Sequence, residues 1–192
     1  MQEIFRQLIG SSSQALEMED RFLLGAVAAN RKAYPDRNGG DGRIRAAGGI
    51  LRINNERYYQ FVIARALVSS FPYEVVLERD THDLVILDNN DKTKWFAAVE
   101  MKRWMSNSGE SEIPGIRYDI ENKLTPVKVS GKASNALMLV FSANEEGKTE
   151  ENIDWLADRL STQKSNWVVC KFPTINLEGK PVDFWVAGYE ID

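Results

Sequence analysis

Three short apolar runs stand close together in the middle of the chain: Tyr73 to Glu78, Asp83 to Asp88, and Trp95 to Lys102. They are rich in β-branched residues and separated by turn formers. That pattern predicts a three-strand meander with Asn89-Asn90-Asp91 as its tightest turn. Ala136 to Phe141 is continuously apolar, as expected of a strand covered on both faces. Trp167 to Phe172 and Phe184 to Ile191 complete the strand set. Helical spacing recurs around these strands. From Gln14 to Ala33 it turns Leu16, Phe22, Leu23, Leu24, Val27 and Ala28 inward, with Ser11 to Ser13 as caps and Pro35 as the stop. Asn54 or Asn55 caps a second helix that runs to about Ser69 and is apolar nearly all round, so it should pack directly on the sheet. A third runs from Arg117 to Leu124, stopped by Pro126, and another from Glu150 to Ser161 buries Ile153, Leu156, Ala157 and Leu160. The resulting order, α-α-β-β-β-α-β-α-β-β, predicts an α/β fold with a central mixed sheet flanked by helices.

A length of 192 residues suits one compact domain. It reads as a core over 51–192, preceded over 1–50 by a helical extension and a Gly/Arg loop. No apolar run reaches bilayer-spanning length, and Glu3 and Arg6 interrupt any signal-peptide pattern, so a cytoplasmic setting without a membrane partner is expected. One cysteine, Cys170, and one histidine, His82, are too few for a His/Cys zinc centre. The net charge is −4, yet the stretch from Arg31 to Arg57 is +4 against −8 for the remainder. Such asymmetry can hold a polyanion on an acidic protein, although charge alone favours a solvated arginine-rich loop. Arg43, Arg45, Arg52 and, further on, Lys123 are the candidates for contact with a nucleic-acid backbone.

Side chains alternate along a strand, so Glu100 and Lys102 share one face while Val99 and Met101 take the other. An acid and a lysine on one face of an apolar strand are costly unless paired or put to use. The tripeptide Glu-x-Lys is not itself selective, since it recurs at Glu121 to Lys123, Glu146 to Lys148 and Glu178 to Lys180. Those lie on a helix or span glycine turns, where a solvated ion pair is the simple reading. Only Glu100 to Lys102 lies on an apolar strand, directly after a strand that opens with an acid, Asp83. A hard cation such as Mg²⁺ or Mn²⁺ takes oxygen ligands, and phosphodiester hydrolysis needs charge neutralised and a water activated. Asp83, Glu100 and Lys102 offer those parts; Glu56, in the first turn of the second helix, adds a carboxylate if that helix packs across the meander. Each also has a plain structural role: Asp83 capping the turn with Thr81, Glu56 facing the helix dipole, Lys102 reaching solvent beside Trp104.

These residues and their element order resemble the PD-(D/E)xK nuclease superfamily, whose restriction-endonuclease-like core is a helix, a three-strand meander, a helix and further strands. The resemblance spans about residues 54–172. It implies that Asp83 matches the acid opening the second strand, that Glu100 and Lys102 match the (D/E)-x-K pair, and that Glu56 matches a helix glutamate. His82 stands where the family motif has proline. The implied activity is Mg²⁺- or Mn²⁺-dependent nuclease action, most naturally on DNA. Asp83, Glu100 and Glu56 would be ligands and Lys102 would position the attacking water; a homodimer or partner subunit is common among such proteins. Two other readings stay open. One is the same fold kept as a nucleic-acid-binding or assembly module without catalysis. The other is a paired-carboxylate hydrolase of the glycosidase kind, which leaves the lysine without a role.

Overall fold

The structure, a computed structural model, describes residues 3–33, 49–53, 55–104, 108–176 and 178–191, the side chains of 27–33 and of Arg52 excepted. Its elements run α1 (Glu3–Ala33), α2 (Glu56–Ser70), β1 (Val75–Arg79), β2 (His82–Leu87), β3 (Trp95–Arg103), α3 (Ile113–Asp119), a π turn (Ile120–Leu124), α4 (Thr125–Val129), β4 (Ala133–Glu145), α5 (Thr149–Arg159), β5 (Trp167–Ile175) and β6 (Pro181–Glu190). The six strands form one mixed sheet in the order β1-β2-β3-β4-β6-β5. Only β3 and β4 are parallel, paired from Trp95↔Ala133 to Arg103↔Phe141. A parallel pair needs a crossover, and α3, the π turn and α4 supply it.

Strand alternation sorts the core into two layers. Leu84, Ile86, Ala97, Val99, Met101, Leu137, Leu139 and Phe141 face α1 and α2. Val85, Leu87, Ala98, Ala136, Met138 and Val140 face α3, α4 and α5. Asn55 begins α2 as expected, its side-chain oxygen accepting the Arg57 N–H at 3.0 Å. Phe61 and Val68 on α2 nevertheless remain exposed, so that helix is buried on one face and not all round.

The expectations for the first and third helices are corrected. The first helix begins at Glu3, and Ser11 to Ser13 lie inside it. Its buried stripe is Phe5, Leu8, Ile9, Ser12 and Leu16, whereas Phe22 is exposed. A serine on the inward face broke the apolar spacing that sequence reading relies on. Because this stripe joins the same apolar cluster as α2 and the sheet, α1 contributes to the core and is more than an appendage to it. The third helix is not stopped by Pro126. Helical backbone continues from Ile113 to Val129, and Pro126 sits in the first turn of α4, where the preceding π turn shifts the hydrogen-bond ladder so that its missing N–H is harmless.

The tightest turn also differs. Asp80 and Thr81, both at positive φ (50° and 72°), form a two-residue turn between the paired residues Arg79 and His82. Such a hairpin turn normally takes Asn-Gly, so nothing local announced it.

Candidate active site

The site forms where β3 outruns β2. Val99 is the last β3 residue in register with β2, opposite Leu84. Beyond it, the backbone donors of β3 are taken by two carboxylates: Met101 N–H donates to Asp83 Oδ2 at 2.7 Å, and Arg103 N–H to Glu56 Oε2 at 2.8 Å. The acid opening β2 and the acid opening α2 thus grip the same strand end from different elements. Capping β3 accounts for one oxygen of each. Asp83 Oδ1 accepts no hydrogen bond from the described residues, and Glu56 Oε1 has only the Lys102 ammonium, at 3.8 Å.

Glu100 is fully buried, yet both of its oxygens are held by polar neighbours. His82 Nδ1 lies 2.8 Å from Oε1, and Lys123 Nζ donates to Oε2 at 2.7 Å. Lys123 reaches Asp119 Oδ1 at 2.9 Å, and Lys102 lies 3.4 Å from Asp119 Oδ2. A chain of ion pairs therefore runs Glu56–Lys102–Asp119–Lys123–Glu100, with His82 within hydrogen-bond reach of Glu100 at its end. The two lysines and two of the acids point from β3 and the crossover helix into one layer, and Glu56 enters at its edge. His82 also sets its ring edge-on to Trp95, with centroids 5.4 Å apart.

Charge is crowded here. Burial, and after it the negative charge of Glu100, pushes the Asp83 carboxyl up to about 6; the Met101 N–H and Lys123 oppose this, while Glu56 adds to it. Burial works to lower Lys123, but its hydrogen bonds to Glu100 and Asp119 outweigh it and hold the ammonium well above the ordinary lysine range. Lys123 is therefore always charged, and the acids nearby still outnumber the ammonium groups.

The structure thus brings Glu56, Asp83, Glu100 and Lys102 together, in a pairing that differs from the expected one. Lys102 shares a face with Glu100 but pairs with Asp119 and Glu56. Lys123, a candidate for nucleic-acid contact that could also face this site or plain solvent, is engaged by Glu100 and Asp119. Lys123 lies in the π turn, which packs over the sheet at this point. Asp119 was not anticipated; its spacing of four from Lys123 on a helix was the available signal. Trp104 is packed between Trp155 and Trp185. Arg43 and Arg45 lie outside the described residues, as does the side chain of Arg52.

For a hard divalent cation the donor chemistry fits: carboxylate oxygens come from α2, β2 and β3, and Asp83 is raised first by burial and then by the negative charge of Glu100. In the arrangement found, no group of three or more His, Cys, Asp or Glu among the described residues is set to hold an ion. Lys123 and a cation are alternatives at Glu100. Among the described residues, no helix is long and apolar enough to cross a membrane. Comparison with protein-family models, curated proteins and solved structures returns no match, so the functional reading rests on these residues alone.

Proposed function

We propose that this chain is a divalent-metal-dependent nuclease that hydrolyses phosphodiester bonds, most naturally in DNA, on a restriction-endonuclease-like core of the PD-(D/E)xK kind. One observation carries the reading: Glu56 on α2, Asp83 opening β2, and Glu100 and Lys102 on β3 meet at a single strand end, each from the element the family resemblance assigns. Asp83, Glu100 and Glu56 are the residues that would hold Mg²⁺ or Mn²⁺. When bound, such an ion neutralises phosphoryl charge and lowers the pKa of a water. The chain's own residues do the remaining work. The β3 backbone fixes Asp83 and Glu56 by one oxygen each; Glu56 Oε1 faces Lys102, and Asp83 Oδ1 accepts no hydrogen bond from the described residues. Lys102, held between Glu56 and Asp119, orients a water or donates to a phosphoryl oxygen. Asp119 keeps that ammonium in place.

The test is cleavage of a supercoiled plasmid and of a single-stranded oligonucleotide with Mg²⁺, comparing wild type with Lys102→Ala and Glu100→Gln. Loss of cleavage in both, with folded proteins by circular dichroism, is expected. Undiminished cleavage in both would overturn the assignment.

A second reading is favoured by the saturation of Glu100: the same fold, used to bind nucleic acid or assemble with a partner without catalysis. Thermal melting separates the two. A carboxylate site that takes a cation raises the melting temperature with Mn²⁺ by mass action. That rise should vanish in Asp83→Asn. Neither a shift nor cleavage would leave the module reading in place.

A further inference from the structure

A cavity of about 630 Å³ opens beside the proposed site, and its wall begins one residue after Lys102. Arg103 and Trp104, at the end of β3, form one side, and Ser142 to Glu145, at the end of β4, form another. It therefore lies off the carboxyl ends of the two parallel strands, the position where open α/β sheets take ligands. Arg103 belongs to both places: its N–H holds Glu56, and its side chain lines the cavity.

The lining is polar but close to neutral. Arg103 and Lys148 stand against Glu145 and Glu178, and three asparagines, Asn144, Asn152 and Asn176, supply amides over an apolar floor that includes Phe184. Their hydrogen bonds leave a specific remainder. Asn144 Oδ1 accepts from Asn152 Nδ2 at 2.9 Å. Asn176 Oδ1 accepts from the Glu178 and Lys180 N–H groups at 2.9 and 3.0 Å. Among the described residues, Asn152 Oδ1 then accepts nothing and Asn176 Nδ2 donates nothing. A lining whose asparagines have one amide acceptor and one amide donor to spare, with no net charge, suits a flat heterocycle that carries both kinds of group. A nucleobase is such a group. A phosphate is not, because the two acids offset the two cations.

The geometry points to this cavity as a pocket for an unpaired nucleobase, seated next to a phosphate met by Lys102. The inference rests on the nuclease reading for the phosphate and adds the substrate class. Bases stacked inside a duplex cannot enter a cavity, so the preferred strand is single-stranded or has a nucleotide turned out. The volume is ample for one nucleotide and within the ordinary range of ligand sites.

The test is binding in EDTA, which removes metal and cleavage from the readout. Fluorescence anisotropy is followed with three labelled probes of equal length: a single-stranded 12-mer, its duplex, and a 12-mer of abasic residues with the same phosphates. The expected order is single strand at least tenfold tighter than duplex and than the abasic strand. Asn152→Ala and Asn176→Ala, checked by melting temperature, should each weaken the single strand several-fold, as expected for one lost hydrogen bond, and leave the duplex unchanged. Equal affinity for the base-bearing and abasic strands overturns the inference, as does wild-type binding by both variants. Failure here with cleavage still abolished by Lys102→Ala would remove the base pocket and leave the nuclease reading intact. Lost preference with normal Lys102→Ala cleavage would remove both.

Discussion

Asp83 carries a cost that unfolding experiments can read. Burial, with the charge of Glu100 second, holds its carboxyl at about 6 against an ordinary 3.8. The native state then binds a proton more tightly than the unfolded chain does. Stability is fully present below the unfolded value and is lost as pH rises through the folded one. A displacement of about two pH units corresponds to about 3 kcal/mol when fully developed. Part of that has appeared by pH 4 and Asp83 keeps some solvent contact, so about 2 kcal/mol is the working figure between pH 4 and pH 8. Asp83→Asn preserves the shape and can still accept the Met101 N–H, but has no proton to lose. Urea unfolding of both proteins at half-unit steps across that range should show the curves diverge, the variant gaining about 2 kcal/mol on the wild type by pH 8. The steepest divergence should fall between pH 4 and pH 6. Parallel curves would refute the reasoning, because they would mean that Asp83 is an ordinary solvated carboxylate and that the acids around β2 and β3 do not crowd one another. A residue whose replacement stabilises the fold at working pH is a candidate for function, since such strain persists where activity needs it.

Two further outcomes bear on the same structure. Lys123→Met removes one of the two partners of a fully buried carboxylate, Glu100, and should cost about 3 kcal/mol in urea unfolding while raising the Asp83 titration still further, as its loss removes a lowering charge; an unchanged Asp83 carbon-13 titration would show that Lys123 does not sit in the network. Gly188→Ala places a methyl 2.7 Å from Ile9 Cγ1 on α1, and overpacking of that kind costs about 1–3 kcal/mol. Combining it with Ile9→Val should recover part of the loss, and a change within experimental error would mean that α1 does not press on β6.

Much of the fold could be read along the chain, because its signals are local. The alternation in β2, β3 and β4 survives as two separate apolar layers, and the Asn55 cap works within its own turn. The same alternation correctly put Glu100 and Lys102 on one face. What it could not say is what each meets there. That depends on the crossover, where Asp119 at the end of α3 and Lys123 in the π turn lie over the sheet, so that Glu100 meets Lys123 and Lys102 meets Asp119. Such pairs join residues distant in sequence, and their register is set by how a helix lies across a strand, not by any spacing in either. The serine on the buried stripe of α1 and the Asp80-Thr81 turn escaped for a related reason: tertiary contacts, not local propensity, make those positions tolerable. Residue types and the order of elements were thus the sequence's contribution. The joining of four acids and two lysines at one strand end, beside a cavity lined by amides, was decided only when the sheet and its helices packed.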